Sequence, residues 1–441
     1  MSQHHKLSLQ SALFININIM LGSGIFINST ILANTAGMLG AACYLAVGIL
    51  MLPLIYSMSK LVNIHPSGGF YTYATQEINS FAGFVASWCY IVGKLAASVI
   101  ITQIAVLLLQ QVVVPLQLIP STVLNGIIIG IFLLLNLLDT KSNSTIQTVF
   151  FWLKATPIVF GIVAGLALFN PSYIQVDLQD TIGIPIALPL VMFALSGFEA
   201  ACSLSSHIEN ASVNAPKAIL YSFGIVITIT TLFQFLIYAG LGDTLALLPD
   251  YRYLFPTLCF NLFPALPELQ GWLTVALHLA VACSALGGSY GILFSNNWNV
   301  FALARHNHLS GSHYFTQLNR YQIPYLCVLL EGAIYFLFLI ISHGNQLPLQ
   351  QIGAFGPTIS YALSAVACLK ATRRGAIPLA TTIPLLAIGS TVLLSSTAIY
   401  SLFIDGIDAL LLFGTLFAIG TIMFLSNTPS VMLSPEKGPA Q

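Results

Sequence analysis

Met20-Leu21-Gly22-Ser23-Gly24-Ile25-Phe26 interrupts an otherwise apolar run over about residues 9 to 35. The run is long enough to cross a bilayer, which takes about 20 apolar residues, yet two glycines and a serine stand at its centre. A second run, 183 to 206, carries Phe193-Ala194-Leu195-Ser196-Gly197-Phe198-Glu199 in its middle. A lone pair of glycines often serves close helix packing and would say little. These interruptions fall in the first and sixth runs, corresponding members of two five-helix halves. That is the register expected of an inverted-repeat transporter with its site at the midplane.

The rest of the chain extends the pattern. Of 441 residues, 57% are hydrophobic and 6% charged, where soluble chains carry about 25% charged residues; mean hydropathy is +0.90. Further apolar runs lie near 38 to 60, 81 to 113, 121 to 138, 145 to 169, 217 to 240, 271 to 302, 324 to 342, 348 to 370, 377 to 402 and 408 to 426. The expectation is an all-α integral membrane protein of about 12 transmembrane helices, one domain over 1–441 with no separate soluble part. It divides into a first repeat over about 9–169, a second over 183–370, extra helices over 377–426 and a short cytoplasmic tail, 427–441. No repeat is visible residue by residue, so the division rests on topology.

Charge enters through position. With a cytoplasmic N-terminus, Lys6, Lys60, Lys141, Lys217, Arg305, Arg320, Lys370, Arg373, Arg374 and Lys437 all fall on the inner side, Arg252 alone falls outside, and Lys94 and Lys154 lie within spans. Ten against one sets the orientation by the positive-inside rule, in a cytoplasmic (inner) membrane with both termini cytoplasmic. The first run follows Lys6 without a clear small-residue cleavage site, so it is expected to stay in the mature protein.

Other function classes lack their residues. Net charge is zero and no charged tract suggests nucleic acid. No P-loop suggests ATP. Glu199, Glu331 and His278 are scattered singly over three spans without an HExxH, so no catalytic group, metal site or cofactor is expected. Six cysteines sit in or beside apolar runs and Cys259 is expected in a long loop, with no disulfide framework.

With these residues in view, the chain resembles the amino acid-polyamine-organocation transporter superfamily, amino acid permease type, over nearly its full length. Gly22 to Phe26 looks like that family's Gly-Ser-Gly-Ile-Phe motif. Pro66-Ser67-Gly68-Gly69-Phe70-Tyr71-Thr72-Tyr73 is similar to its Pro-x-x-Gly-Gly-x-Tyr-x-Tyr cytoplasmic segment, and Gly197 to Ala200 to its Gly-Phe-Glu-Ala break. Ala302-Leu303-Ala304-Arg305 also fits, although His306 and Asn307 stand where an acidic residue and glycine are usual. The resemblance implies the leucine-transporter type of fold, two inverted five-helix repeats followed by two extra helices. It also implies a secondary active transporter of amino acids or related amines working by alternating access, either proton-coupled or an exchanger and independent of sodium. Its partners would be the small-molecule substrate and the lipid bilayer, and its state a monomer or homodimer. A sodium-coupled symporter, using neutral oxygens such as that of Ser284 with Lys154 turned away, and a channel or sensor on the same fold remain open.

Unwinding a helix inside a membrane strands backbone N–H and C=O groups unless they line a wet cavity or meet a ligand. A zwitterion supplies what they lack. Its carboxylate is expected on the amides of Ser23, Gly24 and Ile25, at the positive start of a half-helix. Its ammonium is expected on the carbonyls of Met20, Leu21, Phe193, Ala194 and Ser196, with Gly22 and Gly197 leaving room for backbone approach. Phe193 corresponds in the family to an aromatic gate, with plain packing as the other reading.

Ionisable residues in a membrane need a reason. Lys154 matches a lysine that, in sodium-independent relatives, stands where sodium would bind, and is expected to be the coupling or cation-replacing group. Lys94 is expected either to face the site and tune substrate charge, or to pair with Glu199 or Glu331. Glu199 is expected to stabilise the unwound backbone beside it or to titrate during the cycle.

Overall fold

Ser8 opens the first helix. Its Oγ accepts from the Ser11 amide at 3.2 Å, capping one of the N–H groups that every helix start leaves free. In the computed structural model, residues 6–66, 69–138, 140–342 and 346–427 are described. Ser67 and Gly68 of the expected cytoplasmic segment, Lys437 and the expected tail from 428 onward lie outside them.

The chain runs through α1 (Leu9–Met20), α2 (Gly24–Ala36), α3 (Leu39–Ile64), α4 (Phe70–Glu77), α5 (Ser80–Val112) and α6 (Ser121–Asn136). Next come α7 (Thr140–Ala167), α8 (Ile184–Leu195), α9 (Ala200–Ser203), α10 (Ala211–Leu241), α11 (Asp243–Ala246) and α12 (Leu254–Leu262). The last third holds α13 (Pro267–Arg305), α14 (Ser312–Phe315), α15 (Tyr325–Ile341), α16 (Gln346–Arg373), α17 (Thr382–Asp405) and α18 (Ile407–Asn427). Among the described residues no β-strand forms; one isolated parallel bridge joins Leu7 to Ile208.

Nine segments among the described residues are long and apolar enough to cross a membrane: Leu9–Ala36 counted across its interruption, and the bulk of α3, α5, α7, α10, α13, α16, α17 and α18. The shorter apolar helices α6, α8 and α15 stand where three further spans are expected. This is a multi-pass membrane protein. Helix α5 is its axis, with 94% of its apolar window buried against 22% for α18 at the rim; α13 and α16 pack along it. Side chains such as Trp152, Trp272, Tyr400 and Ile422 point outward, as lipid-facing positions do. Polar groups turn inward: Asn16, Asn18, Ser98, Thr102, Ser289 and Asn296 are all buried.

The structure corrects several boundaries. Helix α10 starts at Ala211, six residues before the expected 217, so Lys217 sits inside a helix. Helix α13 runs four residues further back and three further on than expected, placing Arg305 in its last turn. The segment expected as a loop after the second span becomes helical from Phe70. Cys259, expected in a loop, is buried on α12, whose apolar residues pack that connection onto α13.

The 65–77 connection is pinned at two points. Glu77 Oε1 takes His65 Nε2 at 2.8 Å and Arg374 Nη2 at 2.5 Å. Tyr71 Oη lies 2.7 Å from His308 Nε2, with Ser80 Oγ at 3.3 Å. Asn307, where glycine is usual, has φ of +59°, a conformation asparagine tolerates better than most non-glycine residues. It turns the chain so that His308 tucks under Phe84 and Phe424.

Burial, and secondarily the neighbouring His306, lower His308 from its ordinary 6.5 to about 4. The folded ring therefore binds a proton less readily than the unfolded one. Its contribution to stability is complete above 6.5 and is lost as pH falls from there through 4. Hydrogen-exchange protection factors at α4, corrected for the intrinsic rate at each pH, should fall over that window in the wild type, and a His308→Gln variant should lose that acid sensitivity; equal acid sensitivity in both would assign it elsewhere.

Candidate functional site

Helix α1 makes its last ladder bond from Leu21 N to Ile17 O at 2.8 Å, and regular winding resumes only at Gly24. Glycine is about 1 kcal/mol worse than alanine in a helix interior, so Gly22 and Gly24 flanking Ser23 weaken this point. Helix α8 stops at Leu195; Ser196 turns extended, Gly197 takes φ of +136°, and α9 begins at Ala200.

The two breaks touch. A Cβ on Gly197 would lie 2.8 Å from Met20 N and 2.7 Å from Ile19 Cγ2, and a Cβ on Gly24 would lie 2.9 Å from Ala194 Cβ. Glycine is required at Gly197 by both its φ and this approach.

Side chains satisfy much of the freed backbone. Lys154 Nζ donates to Asn18 O at 2.6 Å and Leu21 O at 2.9 Å, and Ser284 Oγ reaches Leu21 O and Gly22 O, both at 3.2 Å. A buried lysine side chain thus closes the negative end of α1. At the second break, Asn16 Nδ2 donates to Phe198 O at 2.7 Å while its Oδ1 accepts from Ala201 N at 3.0 Å. Glu199 Oε2 accepts from Gly197 N at 2.8 Å. Its Oε1 takes Lys94 Nζ at 2.8 Å and Tyr90 Oη at 3.1 Å.

Some backbone groups at the breaks remain unpaired. Among the described residues the amides of Ser23, Gly24 and Ile25 have no backbone acceptor, and the carbonyls of Ala194 and Leu195 receive no backbone amide. Ser23 Oγ is buried without a hydrogen-bond partner. A narrow cavity lies between the breaks, walled on one side by Met20, Gly22, Ser23 and Gly24 and on the other by Phe193, Ala194 and Ser196.

Lys94 lines this cavity and also forms the ion pair with Glu199, and Glu331 is not its partner. Leu21, Ile25, Gly197, Glu199 and Lys154 stand back from the wall. The ammonium contact expected at Leu21 is corrected, because its carbonyl already accepts from both Lys154 and Ser284. Lys154 is likewise not turned away from the first break, as the sodium-coupled alternative required.

Sequence reasoning missed Ile19, Ala97, Ile101, Ile292 and Gly353, which complete the wall from α1, α5, α13 and α16. It also missed Asn16 and Asn18, the latter donating to Gln147 O at 2.6 Å and Gln147 Oε1 at 2.7 Å. The alternation Asn16-Ile17-Asn18-Ile19 carried a signal, two amides in an apolar run. The apolar wall residues carried none. Among the described residues no group of three or more histidines, cysteines and carboxylates converges on a possible metal site.

The family model described as "Amino acid permease" matches residues 7–431. An uncharacterized transporter of Mycobacterium tuberculosis is 24% identical over 344 residues, covering 75% of this chain and 72% of its own length. The human Asc-type amino acid transporter 1 is 24% identical over 322 residues, 69% of this chain and 60% of the relative. The aromatic amino acid transport protein AroP of Escherichia coli is 22% identical over 364 residues, 78% and 75% of the two chains.

Lys94 and Glu199 should depend on each other. Lys94→Met leaves a buried carboxylate without its cation, a change that typically costs about 3–5 kcal/mol, and should lower the thermal midpoint of detergent-purified protein sharply. The double variant Lys94→Met, Glu199→Gln should recover most of that loss; additive losses would show that the pair is not coupled. Gly24→Val, forced against Ala194, should cost about 1–3 kcal/mol as overpacking does, read as a smaller fall in the same midpoint.

Proposed function

The chain belongs to the amino acid permease family, and from that premise we propose that it is a secondary active transporter of a small amino acid or related amine. Amino acid transport in general is what the family and its relatives share. The finer reading is alternating access without sodium, driven by protons or by exchange, across an inner membrane with both termini cytoplasmic. In this reading α6, α8 and α15 also cross the bilayer, making twelve spans in two inverted repeats, 9–169 and 183–370, with α17 and α18 added.

One observation carries the reading. Ser23 and Gly24, with unpaired amides and the orphaned Ser23 hydroxyl, and Ala194, with an unpaired carbonyl, wall the same small cavity in the bundle. Backbone polar groups stranded in a membrane need partners, and an α-amino acid offers a carboxylate to one side and an ammonium to the other. Phe193 closes one wall of the cavity and is proposed as the gate. Its apolar neighbours Ala97, Ile101 and Ile292 suit a small uncharged side chain.

Lys154 is proposed as the cation-replacing group. Its ammonium already occupies the carbonyls of Asn18 and Leu21 where Ser284 converges, which supports independence from sodium and disfavours a symporter that would place the ion there. A channel or sensor on the same fold differs in its flux, which need not saturate or respond to solute on the far side.

Proteoliposomes loaded with unlabelled amino acids should take up labelled substrate by saturable counterflow in sodium-free buffer. Flux that is absent for every amino acid and amine, or that requires sodium, or that shows no trans-stimulation, would overturn the reading. Lys154→Ala should cut that counterflow at least about tenfold, because about 1.4 kcal/mol lost at the first break already gives that factor; wild-type counterflow in the variant would remove Lys154 from the mechanism.

A further inference from the structure

Three carboxyl side chains are buried among the described residues. Glu77 meets His65 and Arg374, and Glu199 meets Lys94, whereas neither oxygen of Glu331 has a hydrogen-bond partner. Glu331 lies on α15, about 9 Å along the helix from Tyr325 at about 1.5 Å per residue. A lone carboxylate enclosed there is far less favourable than the neutral acid. The group therefore holds its proton in this conformation.

The elements packed on α15 are α5, α6, α13 and α14, and none brings a counter-charge: no lysine, arginine or histidine among the described residues comes within ion-pair distance of Glu331. On α5, Tyr90 and Lys94 are committed to Glu199, leaving Cys89. On α13, Tyr290 is bonded to Asn143 and His278 to the Arg252 carbonyl, leaving Glu268, Cys283 and Arg305. Helix α6 carries no ionisable side chain and α14 has His313 and Tyr314. On α15 itself Cys327 feels the carboxyl from one turn away, and Tyr335 is bonded to Asn125.

The polar side chain that faces Glu331 is Asn296. Its Nδ2 makes only a long bond, 3.4 Å, to Ile91 O, while its Oδ1 accepts from Asn299 Nδ2 at 3.3 Å. Asn299 Nδ2 in turn reaches Ser203 Oγ at 3.0 Å. Ser203 is the last residue of α9, the continuation of the second broken span. A polar chain thus runs from the unpartnered carboxyl to an element of the candidate site.

We infer that Glu331 is a proton-binding site of the transport cycle, linked through Asn296 and Asn299 to the position of α9. The inference rests on the transporter reading above. Releasing the proton to water leaves a carboxylate that needs a donor. Asn296 Nδ2 leaves Ile91 O to supply one, which shifts Oδ1 away from Asn299 and loosens the hold on Ser203. Rebinding a proton restores the present arrangement.

Two measurements test this. A hydrophobic carbodiimide, which reacts with protonated carboxyls in apolar surroundings, should label Glu331 in the purified wild type, with labelling that falls as pH rises; no label at Glu331 at acidic pH overturns the proposal. In proteoliposomes, Glu331→Gln should keep counterflow but lose both the pH dependence of uptake and its stimulation by an imposed proton gradient. A variant with the wild-type pH profile and gradient response also overturns it. Should the variant fail to fold, labelling decides. Should the wild type show no counterflow of any amino acid or amine, the transporter reading fails, and the labelling still judges whether Glu331 carries an exchangeable proton.

Discussion

A backbone amide or carbonyl freed inside a membrane must find a partner within the protein, and this molecule frees several at once where α1 gives way to α2 and α8 to α9. The partners come from far along the chain. Lys154 on α7 and Ser284 on α13 hold the end of α1; Asn16 on α1 holds the turn before α9 while also reaching Ser222 on α10 at 3.2 Å. Each break is thus held by helices that do not contain it. The interruptions are features of the scaffold, and of the backbone groups left unpaired at them, those of Ser23, Gly24 and Ala194 belong to residues that wall the cavity.

Much of this was legible because membrane helices write themselves plainly. Long apolar runs gave the spans, and the interruptions lie where glycine and serine stood, since those residues weaken winding. Connections were harder. A loop that packs against the bundle needs apolar residues too, so α12 with Cys259 read as irregular chain, and the 65–77 segment hid a helix whose start follows two glycines. Register along a helix was also visible, but not which face would turn inward. Lys94 therefore had two readings, and its side chain is long enough to line the cavity and still reach Glu199. The apolar wall of the cavity was invisible in principle, since an isoleucine facing a substrate looks like an isoleucine facing lipid.

The distribution of charge follows from the same constraint. Among the described residues the buried ionisable side chains near the cavity are Lys94, Glu199 and Lys154. The first two neutralise each other at 2.8 Å, and a closely paired ion couple projects little field beyond its own dimensions in a screened or polarisable medium. Lys94 therefore adds little net attraction for a second carboxylate on the substrate. Lys154 stands at the negative end of α1 and donates to the carbonyls of Asn18 and Leu21, so its N–H groups offset the half-helix dipole that would otherwise repel a carboxylate arriving at the start of α2. In the proposed function this leaves the amides of Ser23 and Gly24 as the positive pole and the carbonyl of Ala194 as the negative one, both made of backbone. A pocket whose poles are backbone recognises the part that all amino acids share, and leaves the choice of side chain to Phe193, Ala97, Ile101 and Ile292, which bear no charge at all.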